Sequence, residues 1–278
     1  MPPSPLLLCA RQELTLAVRS RWTQIFATVF ALLALAVATS GYVLSGGSGV
    51  QDFARTAASL VQLVLLLVPV TALLIGIMAL SPDRGAAEVL FSQPVRRSTI
   101  LYGKLLGLFE ALAAAQAVGF GVSGLVIFAR SGEEGAARFA LLVCGSLVLT
   151  AVFLGIAALI SAGSLGRRRA RSLAVGLVVW FAAVIVFDLA ALGLASLLRS
   201  GPASRLLIVS ALLNPVDAVR TATLLGVEGT AAFGAASLAF IRFTHGAAGA
   251  AVLLAASVVS WMIVPPWLAA RWLERTDI

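Results

Sequence analysis

The chain has 278 residues, 60% of them hydrophobic and 12% charged, with a formal net charge of +8. An ordinary soluble domain carries about 25% charged residues, so soluble folding is excluded. The Arg and Lys residues cluster at the ends of apolar runs rather than along one face, which marks membrane orientation and argues against nucleic acid as a partner. With only Cys9 and Cys144, neither a disulfide framework nor a thiol metal site is expected.

Residues 1–22 place Arg11, Arg19 and Arg21 after a Leu-rich start, so no cleaved targeting segment is expected. Leu7, Ala10, Leu14 and Ala17 recur at helical spacing, with Arg11, Glu13 and Arg19 on other faces. This predicts a helix lying in the membrane interface. Six apolar stretches follow, at 23–44, 57–80, 105–128, 139–162, 173–198 and 248–270, each long enough for the roughly 20 residues that a bilayer crossing needs. Runs such as Leu63 to Pro69 and Val175 to Val186 do not alternate in polarity, so the spans are helices and not barrel strands. The expected fold is all-α: a polytopic integral membrane protein with six transmembrane helices and one domain over 1–278. Gly103 and Gly107 form a small-xxx-small pair at the start of span three, but among 25 glycines chance accounts for such a spacing.

An even number of spans puts both termini on one side. The segments on that side, 1–22, 81–104, 163–172 and 271–278, hold 13 of the 20 Arg and Lys residues. The positive-inside bias therefore predicts cytoplasmic termini. The connection 199–247 then faces outward, and 49 residues without secondary structure would be unusual. Asn214, Pro215 and Asp217 read as N-cap, N1 and an acidic N3 of a helix that Gly226 ends. The flanking apolar runs 206–213 and 231–241 are too short to span, which makes them interfacial or re-entrant.

Charged groups within spans are few. Asp188 is a functional candidate because an intramembrane carboxylate is costly, although a carboxyl that pins span five to a neighbour fits the sequence as well. No intramembrane Lys, Arg or His presents itself as its partner. Glu110, two turns into span three, is read as an anchor toward the cytoplasmic edge. His245 is the only histidine and Met1, Met78 and Met262 are scattered, so no metal is expected on this chain. Glu133-Glu134 with Arg138 matches the Glu-Glu-x-x-x-Arg signature of an intramembrane protease family. That chemistry also needs several histidines, and the match falls in a short polar loop. An exposed charged turn is the plainer reading, and an intramembrane hydrolase the remotest alternative. With no nucleophile elbow and no phosphate loop, no catalytic residues are expected, and any ATP is bound by another subunit.

The loop Asp83-Arg84-Gly85-Ala86-Ala87-Glu88, continuing through Ser92-Gln93-Pro94-Val95-Arg96-Arg97 to Gly103-Lys104-Leu105-Leu106-Gly107, resembles the ABC-2 permease pattern. That pattern runs from an acidic residue and Gly-Thr-Leu to Ser-x-Pro, a basic residue and Gly-Lys-x-x-Gly. Ala86 and Ala87 depart from its Thr-Leu. Arg11, Glu13, Arg19, Arg21 and Trp22 are similar to the family's opening Arg-x-Glu and Arg-x-Arg-Trp. The resemblance implies a type V exporter-like fold and an ATPase-coupling role for Asp83, Gly85, Glu88, Ser92, Pro94, Arg96 and Arg97.

Within the family, Trp180 to Leu192, and Leu213 to Asp217 continuing through Arg220 to Gly229, are similar to permeases that serve copper-site maturation of nitrous oxide reductase. This implies a homodimer in the bacterial inner membrane, two ATP-binding cassette subunits carrying ATP and Mg, and a periplasmic β-helical partner. That partner would dock near Asn214, Pro215, Asp217 and Arg220. A generic exporter of lipid, peptide or drug is the alternative.

Overall fold

The computed structural model describes residues 4–43, 50–81, 95–163, 169–228, 244 and 246–275. The loop positions Asp83, Gly85, Glu88, Ser92 and Pro94, the apolar run 231–241 and His245 lie outside them. Every described element is helical: α1 (Pro5–Arg19), α2 (Arg21–Val43), α3 (Val50–Leu80), α4 (Arg97–Gly163), α5 (Arg169–Phe181), a π-helical turn (Ala182–Val186), α6 (Phe187–Ser196), α7 (Ser200–Leu213), α8 (Pro215–Glu228) and α9 (Ala247–Arg275). The bilayer imposes this, because a helix satisfies its backbone polar groups internally where water cannot.

Among the described residues, six stretches are long and apolar enough to cross a membrane: Arg21–Ser40, Thr56–Leu80, Arg97–Ala129, Ala136–Gly163, Arg169–Ser196 and Ala248–Arg275. They are the six spans expected. Spans three and six begin earlier or end later than their apolar runs, because helix continues through Arg97–Lys104 and through Arg271–Arg275 into the polar boundary. Spans three and four share one continuous helical assignment, yet they form a hairpin. Gln116 Nε2 donates to Thr150 Oγ1 at 2.7 Å across 34 residues, which a straight helix would hold about 51 Å apart. The expected polar loop at Glu133 and Glu134 is thus a helical turn, and the side chains of 130–135 are not described.

Spans two and four are the central helices, each half buried. Phe30, Leu60, Leu73, Ile77, Leu108, Leu112, Leu149 and Phe153 are fully enclosed in one apolar core. Phe26, Phe30, Phe120 and Phe139 form a relay of tilted and edge-on rings joining spans one, three and four, with centroids 5.0–5.7 Å apart. Gly119 admits Phe30, since a Cβ there would stand 2.6 Å from its ring. Three prolines, Pro69, Pro265 and Pro266, sit inside spans. Trp180 Nε1 donates to Leu66 O, in the turn that Pro69 loosens, at 3.2 Å. Pro266 seats its ring on Gly155 of span four.

Helix α1 turns most of the expected face inward, with Ala10 and Ala17 buried and Leu14 packed against the core, but Leu7 stays out and Glu13 goes in. Ala10, Glu13 and Ala17 are its buried residues, while Leu7, Leu8, Leu16 and Val18 are exposed. The reason lies in span three. A Cβ at Gly103 would stand 2.6 Å from Cys9 Cβ, and one at Gly107 would overlap the carbonyl of Ala10. The two glycines therefore let α1 cross span three almost backbone to backbone, and their spacing is not chance. The rotation carries Glu13 inward and leaves Arg11 and Arg19 outside.

Candidate functional site

Two polar assemblies lie at opposite ends of the bundle. At the end carrying the termini, helix C-termini leave carbonyls without intrahelical partners, and basic side chains from other helices take them up. Lys104 Nζ donates to Ala79 O at 3.0 Å, and Arg169 donates to Met78 O, both in the last turn of α3. Arg97 Nη1 donates to Leu273 O of α9 at 3.1 Å. A cation at a helix C-terminus also meets the negative end of the dipole. Lys104 is ion-paired with Glu13 at 3.3 Å, so α1, span two and span three meet at one ammonium group. Arg96 is exposed beside Arg97, and Arg11, Arg19, Arg21 and Trp22 are exposed around α1 and the start of span one.

At the other end, α7 and α8 meet at a bend of 102°. Asn214 makes the bend in an extended conformation, with φ −93° and ψ 120°. Its Oδ1 accepts from Val216 N at 3.1 Å and caps α8, as Asn-Pro at N-cap and N1 predicts. Its Nδ2 donates twice, to Asp217 Oδ2 at 3.1 Å and to Ala183 O at 2.7 Å. Ala183 lies in the π-helical turn of span five, where the widened ladder turns a carbonyl outward. The sequence gives no sign of that turn: Ala-Ala-Val-Ile-Val reads as uninterrupted span.

Ala183 is 13 residues in from Ser196, about 20 Å along the helix. The bend therefore reaches well into the bundle, and α7–α8 is re-entrant rather than laid on the surface. Ser257 of span six donates to Leu212 O at 2.6 Å. Ile208, Ala218, Ala250 and Leu254 close a small apolar cluster of their own around the same bend. Helix α8 continues to Glu228, past the expected stop at Gly226. Gly226 serves packing instead: a Cβ there would stand 3.1 Å from Leu141 of span four, and one at Gly145 would strike Thr223.

Asp188 does have a basic partner, which comes from the connection 199–247 and not from one of the six spans. Arg220 Nη1 lies 2.8 Å from Asp188 Oδ2, and Arg220 Nη2 lies 2.6 Å from Asp217 Oδ1. One guanidinium thus bridges span five and α8. Asn214 and Asp217 are buried, while Arg220 and Asp188 are each about one-third exposed. Glu110 stands apart from both assemblies, exposed on the outer side of span three.

A further polar element was not legible in the sequence. Gln116, buried between spans three and four, donates to Thr150 and accepts from Ser146 Oγ. Thr150 and Ser146 differ by one helical turn, the only hint of a shared face.

The sequence that builds this bundle matches one family along nearly its whole length. The family model for ABC-2 family transporter proteins covers residues 7–278, and the chain belongs to that family as a multi-pass permease. Two relatives carry the description probable ABC transporter permease protein NosY. That of Pseudomonas aeruginosa is 36% identical over 236 residues, covering 83% of this chain and 85% of its own length. That of Stutzerimonas stutzeri is 34% identical over 271 residues, covering 95% and 94%. The chain is a NosY-like ABC transporter permease.

Proposed function

We propose that this permease serves copper-site maturation of nitrous oxide reductase, as a non-catalytic homodimer joined to two ATP-binding cassette subunits and to a periplasmic β-helical, NosD-like protein. The observation that carries the reading is the Asp188–Arg220–Asp217–Asn214 assembly. The segments that resemble such permeases, around Asp188 and around Asn214, are the two that it binds together. ATP and Mg belong to the partner ATPase, and copper is cargo of the wider system rather than a cofactor of this chain.

Force enters at the 81–104 segment, through Asp83, Gly85, Glu88, Ser92, Pro94, Arg96 and Arg97, and at the interfacial helix. The charge bias supports cytoplasmic termini in a bacterial inner membrane. Lys104 and Arg97 tie the end of that segment to spans two and six, so a displacement there moves whole helices. At the far end, Arg220 passes the motion of span five to α7–α8. Because Asn214, Pro215 and Asp217 are buried, their part in docking is to shape the re-entrant pair whose outer surface meets the partner. Span five is the least buried of the six, with Leu189 and Leu192 about three-fifths exposed in the half near Ser196, and there it offers a second copy an apolar face.

The test is affinity purification of this chain from its native membrane, followed by mass spectrometry of what accompanies it. An ATPase and a β-helical periplasmic protein together support the proposal. An ATPase alone leaves a generic exporter of lipid, peptide or drug. Neither partner would overturn the coupling role.

A further inference from the structure

Where spans four, five and six end together, on the terminal side of the bundle, they leave a recess of about 290 Å³ lined by Leu159, Ile160, Gly163, Arg171, Ser172, Val175 and Trp272. Its chemistry is graded with depth. Gly163, Arg171 and Trp272 lie at the mouth, within a turn of their helix ends, while Leu159 and Val175 lie four residues deeper, about 6 Å along each helix. The rim is cationic and the floor apolar, and no carboxylate lines it among the described residues. The Trp272 ring stands over Gly163, where a Cβ would be only 3.0 Å from it, so the glycine sets how far the recess opens. Both Val175 and Trp272 are nearly half exposed on the outer surface of the bundle, which makes the opening lateral, toward lipid.

From this arrangement we infer that the recess is a binding site for one anionic phospholipid. The phosphate pairs with Arg171, the glycerol backbone lies under Trp272, and an acyl chain follows Leu159, Ile160 and Val175 out into the bilayer. Aromatic rings at the level of the head groups and basic pockets between spans are the features that such lipids recognise. A volume of about ten waters holds a head group and the first carbons of a chain, and it is too small for a folded protein segment. A lipid seated there wedges between spans four, five and six at the point where Arg97 also grips the end of span six. The inference needs only the membrane-spanning fold, and it stands whatever the transporter serves.

The test is native mass spectrometry of the complete detergent-extracted complex after exchange into mixed phosphatidylglycerol and phosphatidylethanolamine. The expected result is preferential retention of phosphatidylglycerol, lowered about fivefold by Arg171→Ala, the worth of one basic residue near an anionic surface, and kept by Arg171→Lys. Val175→Trp, which fills the floor while keeping the charge, should displace the lipid as well. Equal retention of the two lipids would overturn the site. So would competition by soluble glycerol phosphate, which marks a free-phosphate site, or loss of a copurifying subunit in Arg171→Ala with lipid retention unchanged, which marks a protein contact.

Discussion

Arg220 and Asp188, 32 residues apart, meet at 2.8 Å and join the re-entrant helix α8 to span five, with Asp217 on the other arm of the same guanidinium. The arrangement is two carboxylates on one cation, so removing the arginine does more than delete a bond. Arg220→Met leaves two negative groups facing each other, one of them buried. Breaking a fully buried pair costs about 3–5 kcal/mol, but Arg220 and Asp188 are about one-third exposed, and solvent screening reduces this to about 1–3 kcal/mol. Thermal unfolding of the purified permease measures it. Combining Arg220→Met with Asp188→Asn should recover part of the loss, and a strictly additive double variant would contradict the pairing.

Asp188→Asn tests function separately from folding. The amide keeps an acceptor for Arg220 and sheds the charge, so normal assembly is expected, and under the proposed coupling role the ATPase activity of the complex no longer responds to the proposed β-helical partner. Loss of assembly at this conservative change would assign Asp188 to the scaffold alone.

The side chain of Asn214 is asymmetric in its use: the oxygen caps α8 and the nitrogen holds Ala183 O. Asn214→Ala should cost about 1 kcal/mol for the cap and about 1–3 kcal/mol for the buried carbonyl left unmade. Asn214→Asp keeps the cap but sets an acceptor against both Ala183 O and Asp217. It should be at least as damaging as alanine, and a stable Asn214→Asp protein would refute the assigned orientation of the amide.

At the terminal end, Gly107→Ala places a methyl group where the Ala10 carbonyl lies. Helix α1 must lift, which separates Glu13 from Lys104 and uncovers half-buried Cys9. In a Cys144→Ala background, maleimide labelling of Cys9 should accelerate several-fold in Gly107→Ala. An unchanged rate would show that α1 does not depend on that close approach.

Gln116 makes a milder prediction. Interhelical hydrogen bonds in membranes are worth about 0.6–2 kcal/mol, and Thr150 keeps a second bond to its own helix through Ser146 O at 3.0 Å. Gln116→Leu should therefore lower stability by about 1 kcal/mol. Gln116→Ala should lower it further, since it adds a cavity, and the order of the two melting temperatures checks the account.

The sequence by itself determined the class, the six spans and the cap at Asn214, because each is a local signal. A run of about 20 apolar residues leaves the backbone no alternative to helix in lipid, and Asn-Pro-x-Asp is read within one turn. Even so, lipid is as apolar as a protein core, so hydrophobicity could not say which face of a helix turns inward. That is why periodicity puts Glu13 off the apolar face of α1 and leaves Gly103 and Gly107 to chance, whereas the crossing of α1 on span three buries the one and requires the others. Tertiary structure alone decided that Asp188 finds Arg220, that Gly226 packs against Leu141 rather than ending a helix, and that a π-helical turn offers Ala183 O to Asn214. Each depends on residues far apart in the chain being brought together by helix packing, and no local pattern encodes that.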